Sequence, residues 1–173
     1  MAPSVTALQK EKARRELPGI PKDAPLLVIL VDDVELYHKE LKRLTDGLTF
    51  LPVNFRILLH GKSTKNDHKI KNSYHVDDKE LDKFFTFAHM VLFLSEKTPK
   101  NMVKEAVAHD AVPIICDSTS FLEDYDGPGE KGSCFKFKEP NSWSMYASIV
   151  RALENFGFPY DWKNIIKMAK RSL

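Results

Sequence analysis

Glycine is scarce. The chain of 173 residues has seven, and proteins that cradle phosphates against a parallel sheet use glycine wherever backbone must approach the ligand closely. Few such cradles can be built here. Cysteine is scarcer, with two residues. Cys116 and Cys134 both sit in apolar stretches, which reads as reduced core thiols and excludes a disulfide framework. No stretch approaches the roughly 18 apolar residues of a membrane span. Met1 to Arg15 lacks the apolar centre of a secretory signal. Neither sign of charge dominates, with 26 Lys and Arg against 24 Asp and Glu. That balance excludes nucleic acid or an acidic membrane as a partner held by overall charge. The six histidines show no metal-ligand spacing with each other or with the cysteines, so neither metal nor cofactor is expected. No Gly-x-Ser-x-Gly elbow occurs. These absences point to the cytoplasm, or to a plastid stroma if a transit peptide has been removed.

What is present is enough for a core: 43% hydrophobic and 29% charged residues, at a length that fits one domain. Val5–Arg15 suits a short polar helix, and Leu17–Pro25 is a Pro-rich lead-in; residues 1–24 are thus expected as an extension and 25–173 as the domain. Aliphatic runs without alternation, Leu26–Val31 (LLVILV) and Met90–Leu94 (MVLFL), predict strands covered on both faces. Further strands are expected at Phe55–His60, Tyr74–Val76, Ala111–Cys116 and Gly132–Phe137. Helical spacing joins Tyr37, Leu41, Leu44 and Leu48, then Leu81, Phe84, Phe85 and Ala88 behind a cap at Asp77 or Asp78. Pro99 can open a helix with Met102, Val103, Ala106 and Val107. Two last helices carry Tyr146, Ile149, Val150 and Leu153, then Trp162, Ile165, Ile166 and Ala169. Strands alternating with helices predict an α/β, Rossmann-like, doubly wound and mainly parallel sheet of about six strands.

In such a sheet ligands bind beyond the carboxyl ends of the strands, which directs attention to Asp32–Lys39, Gly61–Lys65, Ser95–Asn101 and Asp117–Glu123. Gly61-Lys62-Ser63-Thr64 spells the end of a phosphate-binding P-loop, but Arg56 stands where its first glycine belongs. The tetrapeptide reads as a solvated basic loop. LLVILVDD resembles the start of a two-component receiver, whose paired carboxylates (here Asp32 and Asp33) hold Mg²⁺. Ser95 stands where a receiver needs its phosphoacceptor aspartate, which leaves a degenerate receiver as one alternative.

Other segments carry a different resemblance. ALQKEKARRELPGIPKDAPLLVILV is similar to the interdomain linker and first strand of the C-terminal domain of GT-B glycosyltransferases, above all glycogen and starch synthases. EAVAHDAVPII resembles the helix-to-strand segment of that family, and KGSCFKF with DWKNIIKMAKRS continues the likeness. The resemblance implies a site for an ADP- or UDP-sugar. It also implies which positions depart from the pattern. Where the family has glycine, arginine and, five residues on, lysine, this chain has Val31, Asp32 and Tyr37; Lys39 is the nearby cation. Lys97 or Thr98 takes the position of the catalytic-site glutamate, Asn101 that of a glycine, and Glu105 that of the acidic residue holding the ribose. Thr119 and Ser120 replace a glycine pair, and Asp110 another glycine. The nucleotide-sugar-binding residues implied are therefore Lys39, Lys97, Asn101 and Glu105, with no catalytic residue retained. GT-B sites lie between two domains and no acceptor domain is visible here, so an active form, a hexosyltransferase using ADP- or UDP-glucose, implies a separate acceptor domain or a protein partner. The expected function is a degenerate nucleotide-sugar-binding domain; the alternative is a non-catalytic interaction or regulatory module on the same fold.

Overall fold

The computed structural model describes residues 24–61, 70 and 73–173. The expected helix at Val5–Arg15 and most of the Gly61–Lys65 loop lie outside the described residues. Six strands form one sheet: β1 (Leu26–Val31), β2 (Asn54–Leu59), β3 (Ser73–His75), β4 (Met90–Leu94), β5 (Val112–Cys116) and β6 (Phe135–Phe137). Their order is β3-β2-β1-β4-β5-β6, and every adjacent pair is parallel. This is the doubly wound Rossmann order, with its reversal between β1 and β4. It is not the 2-1-3-4-5 order of a receiver, so the receiver alternative falls on topology.

Both faces of the sheet are covered, as the unbroken aliphatic runs predict. Alternate residues of β1 serve opposite cores. Leu27, Ile29 and Val31 join the core beneath α1 (Val34–Leu48) and α4 (Ser142–Phe156). Val28 and Leu30 join the core beneath α2 (Asp78–Phe87) and α3 (Lys100–Ala108). Helix α1 starts where the Asp33 carboxylate accepts the Leu36 amide at 2.9 Å, and it buries the Tyr37–Leu41–Leu44–Leu48 stripe. Helix α2 opens on a reciprocal capping box between Asp77 and Glu80, at 2.8 and 3.2 Å.

Two elements differ from expectation. The last strand is three residues, not six, because Ser133 and Cys134 pair with residues 123–125 rather than with β5: both amides donate to the Glu123 carbonyl and the Cys134 carbonyl accepts the Tyr125 amide. Gly132 before them holds φ at 101°, and a β-carbon there would stand 2.3 Å from the Asp124 carbonyl. Helix α4 is also turned. Instead of Tyr146, Val150 and Leu153, it buries Ser142, Met145, Ser148, Ile149 and Ala152. The small Ser148 and Ala152 allow close approach to β6, and the Ser148 hydroxyl donates to the Lys136 carbonyl at 2.7 Å. Tyr146, Val150 and Leu153 are left half-buried.

Helix α5 (Pro159–Ser172) serves both layers. Trp162 and Ile165 pack into the core under α1 and α4, while Ala169 reaches the core under α2 and α3. Trp162 is held between Phe135, stacked at 6.4 Å, and Phe156, edge-on at 5.2 Å. Phe156 in turn meets His89 at 4.9 Å. Both cysteines are free and buried, and burial pushes the Cys134 thiol up to about 12. No described helix is long and apolar enough to cross a membrane.

Candidate functional site

The reversal between β1 and β4 opens a crevice whose lip is formed by the residues after each strand. After β1 come Asp32 and Asp33, the second already engaged as the α1 cap. After β4 comes Glu96, exposed. Between them stands Tyr37, 6% exposed. Burial raises its phenol above the usual range, and the charge of Asp32 raises it further, while a backbone hydrogen bond from Glu96 pulls the other way. The crevice mouth therefore carries carboxylates and an aromatic ring, with no cation from α1 turned into it. An anion held here would face repulsion rather than the bidentate pairing that favours phosphate.

A cavity of about 490 Å³ lies further along the same edge, beyond β4, β5 and β6. Three loops build it, at 96–98, 118–121 and 138–140. The Ser118 hydroxyl donates to the Glu96 carbonyl at 2.6 Å, tying the first loop to the second. Within the second loop the Thr119 amide donates back to the Cys116 carbonyl at 3.0 Å. Lys136, on β6, reaches the Thr119 carbonyl at 2.7 Å and lies 3.6 Å from Asp117. Lys136 thus fixes the loop from beneath, whereas Lys97 and Lys138 are exposed on its rim. The hydroxyls of Thr98 and Thr119 are buried, and among the described residues they have no hydrogen-bond partner. Both threonines line the cavity. A buried polar group without a partner costs about 1–3 kcal/mol, and here two such hydroxyls belong to residues that line one cavity. The cavity also adjoins the start of α3, where Pro99 provides no side-chain cap. The first amides of α3 are left as donors for an anion.

Of the four residues implied by resemblance, Lys97 lines this cavity. Asn101 is exposed in the first turn of α3, and Lys39 is exposed on α1; neither lines it. Glu105 is half-buried and faces α2. Its carboxyl is raised by burial and then by the charge of Asp82. Asp82 also takes His109 at 2.7 Å, clasping α2 to α3. From sequence, Thr98 is only the alternative to Lys97 in the loop after β4, and Lys136 is missed, because the rule that ligand loops follow strands does not cover a lysine inside β6. At the replaced glycines, Asp110 adopts φ 62°, the left-handed conformation that glycine takes without strain. Among the described residues no group of three His, Cys, Asp or Glu is arranged to hold a metal ion.

No protein-family model matches the sequence, and no curated protein does. Solved structures do. The chain is similar to the C-terminal domain of a glycosyl transferase group 1 family protein from Francisella tularensis, with TM-score 0.65 and 12% identity over 98% of this chain and 92% of that one. The fold is that of a GT-B C-terminal domain. Two further GT-B structures agree. The spinosyn rhamnosyltransferase matches 87% of this chain and 42% of its own, at TM-score 0.52 and 13% identity. A UDP-GlcNAc 2-epimerase from Neisseria meningitidis, solved with UDP-GlcNAc bound, matches 96% of this chain and 46% of its own, at TM-score 0.51 and 14% identity. The chain thus spans less than half the length of the rhamnosyltransferase and of the epimerase.

Proposed function

We propose that this chain is a nucleotide-sugar-binding domain of the glycosyltransferase kind, glycogen/starch-synthase-like, that transfers no sugar by itself. The observation that carries the reading is the pair of partnerless buried hydroxyls, Thr98 and Thr119, on the wall of a cavity rimmed by Lys97 and Lys138. That wall faces the carboxyl edge of a doubly wound sheet, where such folds receive ligands. The ligand class is ADP, UDP or their glucose esters. Asp32 and Glu96 oppose its diphosphate, which makes binding weak. Sugar transfer would require an acceptor domain as well, and the setting is cytoplasmic or stromal.

Thermal unfolding with ADP, UDP, ADP-glucose and UDP-glucose, each from micromolar to millimolar, tests the reading. A ligand at about a hundred times its dissociation constant stabilises by about 2.7 kcal/mol, which at this chain length raises the midpoint by roughly 5–10 °C. Thr119→Val should reduce that shift without lowering the unliganded midpoint. Asp32→Arg, which exchanges repulsion for attraction at the crevice mouth, should tighten binding about tenfold. Absence of any shift at millimolar ligand sinks the proposal. It would favour the second reading, a non-catalytic interaction module, for which the Tyr37 ring and carboxylates at the crevice are the supporting observation.

A further inference from the structure

Strand β6 reads Phe135-Lys136-Phe137, and both rings are buried in the core under α1 and α4. Lys136 therefore points to the opposite face, beside its register partner Ile115, which belongs to the core under α2 and α3. Its side chain is 13% exposed. An ammonium so placed loses hydration, and a buried ion pair seldom stabilises a fold more than an apolar side chain of similar volume. Asp117, 3.6 Å away, is 61% exposed and compensates weakly. Stability alone does not account for a lysine here.

What the lysine does is hold loops. Its own backbone is fixed from both sides: the amide donates to Asp124 Oδ1 at 2.8 Å, and the carbonyl accepts the Ser148 hydroxyl at 2.7 Å. From that anchored base the ammonium donates to the Thr119 carbonyl at 2.7 Å. The Thr119 amide is bonded to the Cys116 carbonyl, so both backbone groups of Thr119 are engaged. One residue earlier, the Ser118 hydroxyl carries the constraint to the Glu96 carbonyl and the loop after β4. The third loop, at 138–140, begins two residues beyond Lys136 itself. All three loops of the cavity of about 490 Å³ thus converge on one side chain that is not among its lining residues. We propose that Lys136 is the positioning residue of this cavity, holding its loops in the shape that binds the nucleotide sugar. The ligand class rests on the nucleotide-sugar reading of the cavity; the positioning rests on the bonds alone.

Cys116 supplies the readout. Its thiol lies at the root of the second loop, 3% exposed on a residue that lines the cavity, whereas Cys134 is fully buried and does not line it. Alkylation of the native full chain by iodoacetamide, followed at each cysteine by peptide mass, is compared between wild type, Lys136→Met and Lys136→Arg. A hydrogen bond from a charged donor is worth about tenfold or more in a local equilibrium. Lys136→Met should therefore speed alkylation of Cys116 about tenfold, leave Cys134 slow, and keep the unfolding midpoint within about 4 °C of wild type. Removing a cation disfavours thiolate and by itself slows alkylation, so acceleration reports opening of the loop. Lys136→Arg keeps a charged donor and should stay within about threefold of wild type. Calorimetric titration with ADP, UDP, ADP-glucose and UDP-glucose completes the test, with Lys136→Met expected to bind about tenfold more weakly. Unchanged Cys116 alkylation in Lys136→Met overturns the proposal. So does a midpoint lowered by more than about 4 °C, since the lysine would then serve the fold, and so does equal ligand affinity in the two proteins. A wild type that binds none of the four ligands sinks the nucleotide-sugar reading, while the alkylation rates still decide for or against Lys136.

Discussion

A single carboxylate joins the first and fourth helices. Glu40 Oε2 accepts the Ser142 amide at 2.7 Å, and Oε1 lies 3.4 Å from Arg43. The Ser142 amide, followed by its hydroxyl, holds the Glu40 carboxyl below its ordinary 4.5. A folded-state value below the unfolded one stabilises the protein above about pH 4.5, and that contribution fades as pH falls through the folded value. Glu40→Gln should therefore cost about 1–2 kcal/mol at pH 7, read by urea unfolding, and wild type and variant should converge toward pH 3. An equal deficit at both pH values would assign the effect to packing instead. Nothing in the sequence announces this bond, because its partners are 102 positions apart. The charge pattern at the crevice was legible: Asp32 and Tyr37 stand where the resembling family has cations, and the structure puts both at the mouth with Glu96.

At the scale of elements, β1 and β4 have the bounds expected from their aliphatic runs, because a strand buried on both faces leaves no polar residue to blur its ends. Helix α4 was not legible in the same way. Its sequence, SWSMYASIVRALENF, offers apolar residues around most of the circumference, so periodicity alone permits more than one buried face. The choice fell to tertiary packing, since only a small residue fits where α4 crosses β6. Ser148→Leu should accordingly destabilise by about 2–4 kcal/mol, through overpacking and loss of the bond to the Lys136 carbonyl. Val150→Ser should cost about 1 kcal/mol or less, as suits a half-buried position. Guanidinium unfolding of the two variants measures the contrast; equal losses would mean that both faces are packed alike. The candidate site was legible only in outline. Strand ends located the loops, but three-residue β6 gives too short an alternation to say that Lys136 points toward the Thr119 carbonyl.

The whole molecule is closed by α5. Its first half completes one core and its second half the other, and Lys170 pairs with Asp110 at the far end of α3. Trp162 is the pivot, 7% exposed and packed on two rings. Trp162→Ala should cost about 3–5 kcal/mol, a large share of the roughly 5–15 kcal/mol by which such domains are stable. Differential scanning calorimetry should show a midpoint lowered by about ten degrees and still a single transition. Two resolved transitions would mean that the layers unfold separately and that α5 does not couple them.

A helix that finishes two cores at once also sets an order on synthesis. All six strands have left the ribosome before Trp162 emerges, and at about 5–20 residues per second the nascent sheet waits with one side of each apolar layer uncovered. Any pause after β6 has emerged and before Trp162 follows would lengthen that wait, and it is then that a nascent chain would most need a chaperone.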